Sequence, residues 1–134
     1  MCEPPRLVAH FGHELARYLV ETLDEPPPVG ALFHEPAVDI AAVFLGFGVF
    51  LANEAARDPR WSLNEGELVH ALALFCHLRQ IPEESVAPHL DAHVRKYLRL
   101  ALDDLVRFEA DFRRLRAVFP VLDVGECTLP TRSA

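Results

Sequence analysis

Seven histidines stand in this chain of 134 residues, and in two places they lie beside carboxylates. His10, His13, Glu14, Arg17 and Glu21 form the first group. At about 100° per residue a helix gathers them within ~100° of arc, as one polar stripe. His34, Glu35 and Asp39 form the second group. Imidazole and carboxylate together suit two kinds of chemistry. They can hold a divalent metal, with imidazole nitrogen and carboxylate oxygen as ligands. They can also move protons, with a carboxylate as general base. Either use requires the two groups to face each other, and this is the one place in the sequence where His and carboxylate residues converge. A solvated face of ion pairs explains the first group equally well.

Other candidates are weaker. His70 and His77 are seven apart and share a helical face, and His89 and His93 are four apart, a chelating interval that Pro88 and Asp91 interrupt. Each reads as a surface or partly buried histidine. Cys76, inside an apolar stretch, reads as a buried thiol. Trp61, close to Pro59, reads as a loop anchor on the core. Ser62 has no evident His-Asp partnership, and there is no glycine-rich phosphate loop.

The elements that must position these groups are helices. Leu7, Val8, Phe11, Leu15, Tyr18, Leu19 and Leu23 recur at helical spacing and predict a first helix over 6–23. Asp24-Glu25-Pro26-Pro27-Pro28-Val29-Gly30 stops it and makes a stiff turn, which lets the next helix run back antiparallel. That second helix is predicted over 36–56, with Pro36 in its first turn. Residues 40–52 (IAAVFLGFGVFLA) have no polar side chain. A helix apolar on every side is buried or spans a membrane. A span takes about 20 apolar residues, whereas Asp39 and Asn53 bracket thirteen, so this is read as the buried central helix. Gly46 and Gly48, costly in a helix interior, would permit close approach of a neighbour.

A third helix is predicted over 65–79, opened by a capping box from either Asn64 with Glu67 or Ser62 with Glu65. A long helix follows over 91–119, capped by Asp91. Its apolar positions, Val94, Leu98, Ala101, Leu105, Phe108, Phe112, Leu115 and Phe119, alternate in steps of four and three, a coiled-coil seam. Such a helix would be about 40 Å long. The seam serves either a homodimer through 94–119 or packing on the first helix of the same chain. Residues 120–134 read as a tail. The fold expected is a single all-α domain over 1–134, with about four main helices in an orthogonal or bundle-like array.

Composition bounds the function. The net charge of −7 and pI near 5.4 oppose binding to phosphate backbones, so nucleic acid is not an expected partner. Cys2, Cys76 and Cys127 are odd in number and have no CxxC spacing, which fits reduced thiols in a cytoplasm. The opening Met-Cys-Glu-Pro-Pro-Arg lacks the apolar core of a signal peptide. A cytoplasmic protein without membrane attachment is expected.

Residues 7–20, LVAHFGHELARYLV, resemble the HExxH helix of zinc metallopeptidases, and residues 35–39, EPAVD, resemble the downstream ExxxD of the gluzincin group. The longer run HEPAVDIAAVFLGFGVFLANEA, with ALALF at 71–75 and HLDAHVRKYL at 89–98, is similar to a group of uncharacterised bacterial proteins that pair HELAH with this apolar helix. The resemblance covers about residues 7–102. It implies His13 as first zinc ligand, Glu14 as general base for the attacking water, Glu35 as third ligand and Asp39 as its support. The second ligand position holds Arg17, which cannot ligate a metal. Two substitutions can mend this. His10, one turn before His13, or His34 can supply the missing imidazole. Alternatively the guanidinium of Arg17 pairs with Glu14, Glu35 or Asp39 and stands in for the cation. The second is favoured. HExxH peptidases also bind substrate along a strand edge, and no strand is predicted here.

The expected function follows: a degenerate or repurposed metallopeptidase-like protein, able to bind zinc through His13, Glu35 and a substitute histidine but more an ex-enzyme than an enzyme. The rival is a helical interaction or dimerisation protein with no metal site. A live metal-dependent hydrolase is the third reading.

Overall fold

Pro4 and Pro5 open α1 (Pro4–Glu21), at positions where a missing N–H costs little. In the computed structural model, which describes residues 3–27 and 30–118, this is the first of seven α-helices, and no strand is present among the described residues. The protein is all-α. Pro28, Val29, Cys2, Cys127, Phe119 and the tail over 120–134 lie outside the described residues.

A 3₁₀ turn at Ala31–Phe33 leads into α2 (His34–Ala42), then a π-helical turn at Val43–Phe47, then α3 (Gly48–Glu54). These make one bent rod, close to the helix predicted over 36–56. Its two glycines differ in purpose. Gly46 sits at φ +104° with open space around it, so it supplies the positive φ that the π turn needs. Gly48 allows close approach: a Cβ there would lie 2.9 Å from Leu72 and 3.0 Å from Val43.

The rod is not apolar-packed on every side, as the sequence suggested. Ile40, Phe44 and Leu45 stay substantially exposed. In length and composition the 24 residues from Ala31 to Glu54 also match a membrane span, and only 39% of their most apolar stretch is buried inside the protein. Asp39 and Glu54, two of the four buried charged or polar residues among the described residues, lie on this rod, Asp39 beside His13 and Glu54 beside Arg57.

The capping box of α4 (Glu65–Arg79) is Asn64 with Glu67, not Ser62 with Glu65: Asn64 accepts from the Glu67 N–H at 2.9 Å and Glu67 accepts from the Asn64 N–H at 2.8 Å. α4 is the element that touches most others, meeting α2, α3, α6 and α7. Leu68, Val69, Ala71, Leu72, Ala73 and Cys76 are buried on more than half its circumference. Many of these are small, so α4 draws less attention in the sequence than the Phe-rich rod.

After α5 (Glu83–Val86), α6 (Ala92–Leu105) and α7 (Glu109–Val118) replace the single long helix expected over 91–119. A 3₁₀ turn at Val106–Phe108 divides them. Asp91 stands at the N-cap position, but its carboxylate makes no cap bond and accepts from Arg57 instead, at 3.2 Å. Val94, Leu98, Leu105 and Phe112 of the seam are buried, and the helices that carry them lie on α4 of the same chain, not on α1. Phe108, in the 3₁₀ turn, and Leu115 are exposed, so the seam is buried only in part.

Candidate functional site

The sequence between them does bring α1 and α2 together side by side, and three ion pairs join them: His13 with Asp39, Arg17 with Glu35 and His34 with Glu21. The inner one is His13 with Asp39. His13 Nε2 lies 2.9 Å from Asp39 Oδ1, and Asp39 is fully buried. The other oxygen, Oδ2, accepts from the backbone N–H of Leu63 at 2.8 Å. No donor N–H is aligned on Oδ1, whose near neighbour is the His13 ring nitrogen. The carboxylate raises the His13 pKa above its usual value, against a burial effect that lowers it. Glu14 adds to this from 3.5 Å at Nδ1.

The outer pair is Arg17 with Glu35. Nη1 donates to Oε1 at 2.6 Å and Nη2 to Oε2 at 2.8 Å, a two-pronged fork that only a guanidinium can make. It holds the Glu35 carboxyl below the ordinary range and the guanidinium more firmly charged. Arg17 also lies 3.9 Å from Glu14, whose side chain is otherwise largely solvated.

Of the other two histidines, His34 stays at the end of this junction and His10 turns away from it. His10 Nε2 lies 3.4 Å from Asp58 and 3.0 Å from an Arg60 nitrogen, with its ring 5.2 Å from that of Trp61. His34 lies 3.7 Å from Glu21. His10, His13, His34 and Glu35, the candidate metal ligands, therefore face four different partners. Among the described residues no group of three His, Cys, Asp or Glu side chains is placed to hold a metal ion. Both oxygens of Glu35 are already taken by Arg17, so the donor set as arranged does not fit zinc.

The buried ion pairs of the loop after α3 are not foreseen from the sequence, although Trp61 reads as a loop anchor. Trp61 is an anchor, as read, but the rings it anchors are those of His10 and His13, the latter edge-on at 5.0 Å. Asp58 is buried and receives Arg60 at 2.6 Å and Arg6 at 3.7 Å. Arg60 holds its pKa down to about 2. Asp58 also accepts from the Arg60 backbone N–H at 3.1 Å, the local turn that an Asp-Pro-Arg run favours. That was the available signal.

Of the weaker candidates, His77 meets Glu109 at 2.7 Å and His93 meets Glu65 at 2.9 Å, while His70 is exposed. Cys76 is buried, and burial raises its thiol pKa. Comparison with protein-family models, with curated proteins and with solved structures returned no match to this chain.

Proposed function

We propose that this protein is a non-proteolytic, degenerate relative of the HExxH peptidases, in which the Arg17–Glu35 fork has taken the place of the metal and the helix pair serves as a rigid interaction scaffold. The fork is the observation that carries this reading. A permanently charged guanidinium neutralises the carboxylate that would otherwise be a ligand, and it does so without a metal. The inner pair supports it, because His13 is engaged by Asp39 rather than free to bind an ion.

Metal analysis of untagged protein, after equilibration with zinc and desalting, tests this. The wild type is expected to carry no stoichiometric zinc and to melt at the same temperature with and without a chelator. The substitution Arg17→His restores an imidazole four residues after His13 and frees Glu35, and is expected to gain zinc. Stoichiometric zinc in the wild type, lost in His13→Ala, would overturn the metal-free reading in favour of a live site. Zinc in neither protein would remove the peptidase ancestry and leave a plain interaction protein.

A further inference from the structure

We propose that the outer face of α1 is a homodimer interface, where two copies of this chain pair with their α1 helices antiparallel about a twofold axis. The inference rests on the interaction-scaffold reading for its purpose and names the partner of that scaffold.

The case begins with an inversion. A helix on a domain surface ordinarily turns its large apolar residues inward. α1 does the reverse. Its buried residues are Ala9, Gly12, His13 and Ala16. The large ones face out: Leu7 is 60% exposed, Phe11 63% and Tyr18 64%, with Leu15 and Leu19 also open. The small inner face lets the rod come close, since a Cβ at Gly12 would lie 2.3 Å from the Phe47 ring. Phe47 in turn meets Phe11 edge-on at 6.4 Å, so the apolar face continues onto the rod.

The size suits a dimer. These five α1 side chains expose roughly 500 Å² of largely apolar surface, in the upper part of the range for the largest patch of a monomer. Two such faces, with the Phe47 edge that continues them, can bury up to about 1,000 Å², the threshold of a specific interface.

The pattern suits a helix as the occupant. Leu7, Phe11, Leu15 and Tyr18 fall at steps of four, four and three, and no charged residue lies in the stripe from Pro4 to Thr22. The midpoint of α1 falls between Phe11 and Leu15. An antiparallel copy would therefore place Phe11 of one chain over Leu15 of the other, and Leu7 over Leu19. Such a contact uses the same patch on both subunits, as twofold pairing requires.

The charge disfavours a lipid surface. A helix lying on a membrane carries free Lys and Arg on its polar face. Here Glu14 and Glu21 flank the stripe, and Arg6 and Arg17 are paired with Asp58 and Glu35. The chain as a whole carries −7.

Light scattering behind size exclusion, on the full untagged chain, decides the matter. The expected mass is twice the 15.0 kDa of one chain. Phe11→Glu with Leu15→Glu is expected to give a monomer with an unchanged helical circular-dichroism spectrum. Leu115→Glu, on exposed α7, is expected to stay dimeric. If the double variant loses helicity, Leu7→Gln with Tyr18→Gln, at the more exposed ends of the stripe, is expected to weaken the dimer at least tenfold. A monomeric wild type at about 100 µM would overturn the proposal, as would a dimer insensitive to all α1 variants. Loss of the dimer in Leu115→Glu alone would move the interface to the 94–119 seam and also overturn it. Binding of the wild type to phosphatidylserine vesicles as a monomer would replace it with a membrane face. Mass and metal content are separate readouts: zinc in a dimer would sink the metal-free reading alone, and a metal-free monomer would sink this one alone.

Discussion

Asp39 is the residue on which the α1–α2 junction turns. Its carboxylate is fully buried, faces His13 with one oxygen and takes the Leu63 N–H with the other. Removing it in Asp39→Ala leaves a backbone donor and a buried imidazole without their acceptor. The expected loss is about 2–3 kcal/mol, measured by urea unfolding at neutral pH. The pair also ties stability to pH. His13 has a raised pKa in the folded protein, so the protonated pair stabilises most below the unfolded value of about 6.5. That contribution disappears as pH rises through the folded pKa. Wild-type stability relative to Asp39→Asn is expected to shrink as pH climbs from about 6 to 9. Unfolding midpoints that differ by a constant amount across that window would contradict the assignment. Arg17 is different in kind: its fork with Glu35 is solvent-facing, so its loss should cost at most about 1 kcal/mol.

Between elements, the governing contact is the small inner face of α1 against the π turn. The Cβ-free edge of Gly12 lies under the Phe47 ring, and Phe47 sits in the turn that Gly46 makes possible. Gly12→Ala forces the ring aside and is expected to cost about 1–3 kcal/mol, seen as a melt lowered by several degrees. Adding Phe47→Leu should return part of that loss, because it vacates the space the new methyl needs. An unchanged melt in Gly12→Ala would mean that the two elements are not in close contact. Helix spans were largely legible: 65–79 matches α4 end to end, because the capping box marks its start and the stop before Pro82 its end. The division of 91–119 into α6 and α7 was not legible. A 4-3 seam describes which side is apolar, and nothing in it registers a tightened turn at Val106–Phe108.

In the whole molecule, one core cluster joins residues from Ala9 to Phe112. A single core implies a single cooperative transition. Leu98, fully buried where α6 lies on α4, is expected to cost about 2–5 kcal/mol on truncation to Ala. Circular dichroism and tryptophan fluorescence, the latter reporting Trp61 beside α1, should shift together. Two separated transitions would mean that the α6–α7 segment folds independently. The same core leaves a large apolar surface uncovered on α1, which is why the proposed dimer belongs to this scale. A helix has only so much perimeter to turn inward, and α1 spends its inward side on small residues and one ion pair.

The sequence by itself determined that the chain is helical, where the helices begin and end to within a few residues, and that α1 and the rod would bring His and carboxylate side chains to one seam. Periodicity, caps and proline stops are local, so they can be read locally. Tertiary structure alone decided who pairs with whom. That His13 takes Asp39, Arg17 takes Glu35 and His10 turns to Asp58 and Trp61 depends on helix rotation and on a loop some fifty residues away. It also decided that the apolar side of α1 faces outward. Spacing marks a stripe on a helix but carries no information about which neighbour will cover it.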